Sequence, residues 1–114
     1  MRPARLRSRA EFASTVRRGR RGRSALLVVH LDDRPEAVTA PLGAAAVGYV
    51  VSRTVGTAVV RNRVRRRLRH LVAARTSELP ENARFVVRAL PASAGASSAR
   101  LAAALDAALI AVRR

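Results

Sequence analysis

The stretch Gly56-Thr57-Ala58-Val59-Val60-Arg61-Asn62-Arg63-Val64-Arg65-Arg66-Arg67-Leu68-Arg69-His70 decides how the rest of the chain is arranged. Val60, Val64, Leu68, Leu71 and Val72 recur at helical spacing. At about 100° per residue they fall within about 120° of arc, so one stripe of a helix is apolar. Six arginines lie between Arg61 and Arg69. Arg66, Arg69, Asn62 and His70 point away from the stripe, while Arg63, Arg65 and Arg67 flank it. Arg61 falls just inside its margin, in the first turn, where a long side chain still reaches water. Such a helix docks on a core and presents a wall of guanidinium groups. Packed so densely, these groups repel one another unless phosphates lie between them. Nucleic acid is therefore the first partner to consider.

Outward from this helix the chain reads α-β-β-α-β-α, an α+β sandwich on a small central sheet. Upstream, Ala46–Ser52 is a strand, and Arg53-Thr54-Val55-Gly56 turns into the helix with Thr57 as its cap. The helix runs to about Arg75 and stops before Pro80. Phe85–Ala89 is the next strand, so the helix is a crossover joining two strands of one sheet. Ala25–Leu31 is an almost continuous apolar run, a strand buried on both faces and antiparallel to the one at 46–52.

Near the N-terminus, Ser8-Arg9-Ala10-Glu11 is a capping box opening a helix over Arg9–Arg18, with Phe12 and Val16 on one face. Gly19 is expected to end it in a left-handed conformation. Arg17, Arg18, Arg20, Arg21 and Arg23, set around two glycines, read as a solvated basic loop. The segment from Asp32 to Gly43, with Pro35 and Pro41, reads as a variable loop. After the loop marked by Pro91 and Gly95, Ser97 or Ser98 caps a last helix. Leu101, Leu105, Leu109 and Val112 are its stripe, with Ala108 beside them. Residues 1–114 read as one domain, with 1–8 as a basic arm.

A hydrophobic content of 49% in 114 residues supports a folded core despite a formal net charge of +16. Every Lys/Arg position is arginine. Coding bias in a GC-rich genome explains that better than phosphate-gripping chemistry does, so the charge, not the arginine-to-lysine ratio, points to a partner. The chain has no cysteine and no run of 18 apolar residues, which fits a cytoplasmic protein without a membrane span. The Arg-rich N-terminus mimics a transit peptide but lacks the apolar stretch of a secretory signal.

A protein-only catalytic site is hard to assemble. His30 lies mid-strand, read as a strand-surface residue, and His70 sits on the arginine helix; neither has a Ser or Cys partner nearby in sequence. Asp32 and Asp33 suit a turn better than a metal site. No phosphate-binding loop, dinucleotide or zinc-protease pattern appears. Phe12, Tyr49 and Phe85 are the only aromatic residues, too few for a paired stacking platform. What remains is electrostatic, and arginines on a helix position a backbone more than they read bases.

The run Val47-Gly48-Tyr49-Val50-Val51-Ser52-Arg53, followed by Val55–Arg69 with Arg61-Asn62-Arg63 at its centre, closely resembles the signature of the bacterial ribonuclease P protein subunit. Arg5-Leu6-Arg7, Glu11-Phe12, Val16 and Arg18-Gly19 match that family's first helix in order and spacing, so the resemblance covers nearly the whole chain. It implies a left-handed β-α-β crossover, against the usual hand. It also implies that a partner RNA performs Mg2+-dependent hydrolysis, releasing the 5′ leader of precursor tRNA, while the protein supplies no nucleophile. The metal is then used by the RNA and is not expected to bind tightly to the protein alone. Carried over by position, Arg53, Arg61, Asn62, Arg63, Arg65, Arg66 and Arg69 are the RNA-binding residues. Phe12, Val16, Val29 and Val50 are the residues of a leader-binding cleft. Val16 stands where relatives often carry a second ring, and Val29 and Val50 where they carry Tyr and Ser, so stacking on the leader is expected to be weak. Phe12 has core filling as its other reading. If Val50 lines the cleft, Tyr49 faces the opposite, helix-packed side. A structural ribosomal protein and a DNA-compacting protein are the competing functions.

Overall fold

The computed structural model describes residues 3–6, 8–33 and 45–113. Five strands, β1 (Ala4–Arg5), β2 (Arg20–Arg23), β3 (Leu27–Asp32), β4 (Ala46–Val50) and β5 (Arg84–Ala89), form one sheet in the order β1-β4-β5-β3-β2. Three helices, α1 (Arg9–Arg18), α2 (Ala58–Ala73) and α3 (Ser98–Arg113), cover it. Most of the expected proline-bearing loop, from 34 onward, lies outside the described residues. Among the described residues no helix is long and apolar enough to cross a membrane.

The crossover is as expected: β4 and β5 pair in parallel, with α2 between them in sequence. The neighbours of β3 are not. It runs opposite to β4 but is separated from it by β5, to which it pairs antiparallel. An apolar run such as Phe85-Val86-Val87 needs cover on both faces and both edges, and the central position supplies it.

Two strands were not expected. Ala4 and Arg5, assigned to a basic arm, pair with β4, where the Ala4 amide donates to Ala45 O at 2.8 Å. The presumed basic loop is β2, joined to β3 by a tight hairpin in which Ser24 N–H donates to Leu27 O at 2.9 Å. Arg20, Arg21 and Arg23 are exposed on this edge and only Gly22 is buried, so no apolar alternation marked it. Exposed cations also keep an edge strand from pairing with another chain.

Helix α1 starts where the capping box places it. Ser8 N–H donates to Glu11 Oε1, and Glu11 N–H to Ser8 Oγ, both at 3.1 Å. It ends at Gly19, which is extended rather than left-handed (φ −78°, ψ 161°) because the chain continues directly into β2. A Cβ at Gly19 would stand 2.6 Å from Leu31 O, so close backbone passage, not handedness, requires glycine there.

Strand parity divides the sheet into two faces. Leu27, Val29, Leu31, Val47, Phe85 and Val87 join Val64, Leu68, Val72 and the α3 leucines in the main core. Ala46 and Val86 face the other way, packed with Leu6, Phe12 and Val50 beneath α1. The α3 stripe is buried throughout, and Ser97 caps its helix, its Oγ accepting from Arg100 N–H at 3.2 Å. Thr57 caps α2, its Oγ1 accepting from Val60 N–H at 3.4 Å. Arg75, just past α2, clamps it to α3 through Nε–Oδ1 (2.5 Å) and Nη2–Oδ2 (3.2 Å) bonds to Asp106. That hydrogen bonding holds the Asp106 carboxyl below its ordinary range.

Leu68 is completely buried between α2 and the sheet. Leu68→Ala is expected to lower the unfolding free energy by about 2–5 kcal/mol, read from the midpoint of a urea titration.

Candidate nucleic-acid interface

Because α2 buries Val64, Leu68 and Val72, its remaining circumference is committed to arginine. Asn62, Arg66, Arg69 and His70 are exposed, and Arg61, Arg63, Arg65 and Arg67 are half-buried at the flanks. The two flanks differ. On one, Arg63 Nη2 donates to Ala94 O at 3.4 Å and Arg67 Nη1 to Ala96 O at 3.0 Å, tying the helix to the turn before α3. On the other, Arg65 Nη1 donates to Asn62 Oδ1 at 3.1 Å, a surface bond that ligands can replace. Arg63 is therefore partly structural as well as basic. Arg53 is exposed in the turn leading into the helix.

Four acids pair with arginines outside this helix face. Asp33 pairs with Arg20, Asp106 with Arg75, Glu11 with Arg84 and Glu78 with Arg113. Among the described residues no carboxylate comes within ion-pair range of an arginine between 61 and 69. The positive field of this face is thus uncompensated and available to an external polyanion.

A second surface lies on the α1 side of the sheet. The Phe12 ring lies on Gly48: a Cβ there would sit 2.4 Å from two ring carbons. Phe12 is half-buried against Leu6, Ala46 and Val86, so it fills the smaller core while part of its ring stays accessible. Val16, one turn on, is 37% exposed. Register places Arg23, Val28, Arg88 and Val50 in one row across β2, β3, β5 and β4 on this face. Val28 and Val50 are the apolar members of this row and stand on either side of Arg88, which is exposed, as is Arg23.

Phe12 and Val50 pack against one cluster, Val16 follows Phe12 one turn along α1, and Val29 is not with them. Its side chain is fully buried on the opposite face, in the main core. Its neighbour Val28 faces the α1 side instead. Tyr49 packs on the helix side, as expected if Val50 lines the cleft. Sequence reasoning placed Arg23 in a basic loop and did not single out Arg88. Arg88 was the more findable, as the one exposed residue in an otherwise buried strand.

His30 is a correction too. It is buried on the α1 face rather than at the strand surface, and neither ring nitrogen has a protein partner. Burial, then the nearby charges of Arg88 and Arg21, lowers its pKa, which favours the neutral imidazole. Among the described residues no three His, Asp or Glu side chains gather as a metal site.

A mixed sheet covered by three helices, with an uncompensated arginine face on α2 and exposed Arg23 and Arg88 on the opposite, α1 side, defines a small polyanion-binding protein. The comparisons make this particular. The family profile "Ribonuclease P" matches residues 1–113. The chain is 55% identical over 108 residues to the ribonuclease P protein component of Streptomyces bikiniensis, covering 92% of this chain and 88% of that protein. The chain belongs to the ribonuclease P protein family. Its fold matches the RNase P protein of Staphylococcus aureus (TM-score 0.81, 20% identity, 96% and 94% of the two chains). It matches that of Thermotoga maritima nearly as well (TM-score 0.77, 20% identity, 96% of both chains). At that identity these two matches speak for the fold alone. The ribosomal alternative is not favoured.

Proposed function

We propose that this protein is the RNA-holding subunit of a ribonuclease P ribonucleoprotein that removes the 5′ leader of precursor tRNA in the cytoplasm. The observation that carries this reading is the acid-free arginine face of α2, on a chain that the family profile matches from end to end. Arg53, Arg61, Asn62, Arg63, Arg65, Arg66 and Arg69 hold the backbone of the catalytic RNA, which needs phosphate contacts rather than base reading. The α1 cleft, with Phe12, Val16, Val50, Val28, Arg23 and Arg88, receives the single-stranded leader. Its apolar side chains accept the faces of bases while the cations interspersed among them follow the phosphates. With one ring in that cleft, binding is sequence-tolerant.

Bond breaking belongs to the RNA. The hydrolysis requires Mg2+, a hard cation that takes oxygen ligands. Among the described residues no three His, Asp or Glu side chains gather as a site for it, and Asp33, Asp106, Glu11 and Glu78 are engaged with arginines. The protein's part is to neutralise phosphates and align the substrate. Reconstitution tests this. Protein alone should leave precursor tRNA intact, and adding it to the catalytic RNA should lower the Mg2+ concentration needed for cleavage. Cleavage by highly purified protein without RNA would overturn the assignment.

A further inference from the structure

A concavity of about 280 Å³ opens between β1, β4 and α2. It lies on the helix side of the sheet, away from the α1 cleft, because Val47 and Tyr49 alternate with Gly48 and Val50 along β4. Val47 and the Tyr49 ring form an apolar wall; Arg5, Arg66, Arg69 and His70 surround it with cationic and donor groups, and no acid lines it. The Arg69 guanidinium lies over the Tyr49 ring, 5.9 Å from its centroid. Among the described residues none of Arg5, Arg66 and Arg69 has a carboxylate in ion-pair range.

The volume is just below the ~300 Å³ at which small-ligand clefts begin, which suits one compact group rather than a length of chain. Its walls call for a ligand with two halves. A flat, apolar ring stacks on a guanidinium plane or a phenol. An anion meets guanidiniums in bidentate fashion. Burial pushes the Tyr49 hydroxyl up to about 12, against the opposing pull of Arg69 and Arg5. It therefore stays protonated and can donate to the ligand.

We propose that this pocket binds a single nucleoside monophosphate unit, with the base against Tyr49 and Arg69 and the phosphate on Arg5 and Arg66. The unit is either a free mononucleotide or one unstacked nucleotide of the RNA lying along α2; the second form rests on the RNA-holding reading above. In that form the pocket pins the RNA's register at one nucleotide, which an array of phosphate contacts alone does not do.

The test uses the full chain, labelled with 15N and titrated with AMP, adenosine and inorganic phosphate. AMP should shift the amides of Arg5, Tyr49 and Ala73 and bind at least ~10-fold more tightly than either half alone. Arg5→Gln and Tyr49→Leu should each abolish that preference. If Tyr49→Leu does not fold, the exposed Arg5→Gln carries the test by itself. Equal binding of AMP and phosphate, or no shift at these amides, overturns the proposal. The same variants, assayed for affinity to the catalytic RNA, separate the sources. About tenfold weaker binding identifies a nucleotide of the RNA, and unchanged binding with an abolished AMP response identifies a free nucleotide. AMP binding is read on protein alone, so it stands or falls separately from the RNA-holding face, which Arg61→Gln probes.

Discussion

Gly22→Ala is expected to destabilise this protein strongly, although it adds only one methyl group. Gly22 pairs with Val29 in the β2–β3 ladder, so its missing side chain points to the main core, under α3. A Cβ there would stand 2.4 Å from Ala108 O, 2.5 Å from Val112 N and 2.8 Å from Val112 Cβ. Two of these atoms belong to the helix backbone and cannot rotate aside. Relief requires moving α3 bodily off β2, which would also loosen the packing of Leu105, Ala108, Leu109 and Val112, all of them buried. Overpacking commonly costs ~1–3 kcal/mol and sometimes more, and a clash with rigid backbone belongs at or above the top of that range. A loss of ~3 kcal/mol lowers the melting temperature of a chain this size by about 10–15 °C. Gly95→Ala is the matched control. A Cβ at Gly95 meets nothing within 4 Å, so the same substitution should be neutral or slightly stabilising there. Equal melting temperatures for the two variants would refute the close approach of β2 and α3.

Why β2 escaped a reading of the sequence follows from the same close approach. Its reason for being a strand is the passage of α3 over Gly22, a partner more than 80 positions away. Arg20-Arg21-Gly22-Arg23 contains no local periodicity to betray it. Helix α1 was legible because its determinants, Ser8 and Glu11, bond within the same turn. Helix α2 was legible because one stripe is apolar and the rest is not, whatever lies beyond. The Val28/Val29 error has a different cause. In a strand buried along its whole length, both parities are apolar, and a shift of one residue reverses the face. The polar residues His30 and Asp32 share parity with Val28. They mark the α1 face as the less apolar one, and so were the available clue to which valine faced the cleft. Placing β5 between β3 and β4 was beyond local reading, because strand order depends on which edges remain after the crossover has formed.

Replacing Arg61, Arg65, Arg66 and Arg69 together by Gln should nearly abolish tight RNA binding while leaving the fold intact. None of the four donates a hydrogen bond to a backbone carbonyl or pairs with an acid among the described residues. Their removal also relieves repulsion within a dense run of like charge, which offsets the loss of the Arg69 guanidinium from the face of the Tyr49 ring. Stability should therefore change by no more than ~0.5 kcal/mol per position. The effect on RNA is larger because each phosphate that an arginine neutralises releases counterions. The slope of log affinity against log salt falls by ~0.7–0.9 for each phosphate no longer neutralised, depending on strandedness. Four such phosphates, extrapolated from a common 1 M reference to 0.1 M salt, amount to a loss on the order of 10³ in affinity for the catalytic RNA. The Arg63→Gln/Arg67→Gln double variant should behave differently. It removes the bonds to Ala94 O and Ala96 O, so it should lower the melting temperature as well as the affinity. The two variants measured side by side, by thermal melts and by salt-dependent binding, separate arginines that face the RNA from arginines that hold the helix in place. If the quadruple variant kept the parent salt slope, the exposed face of α2 would not be where the RNA lies.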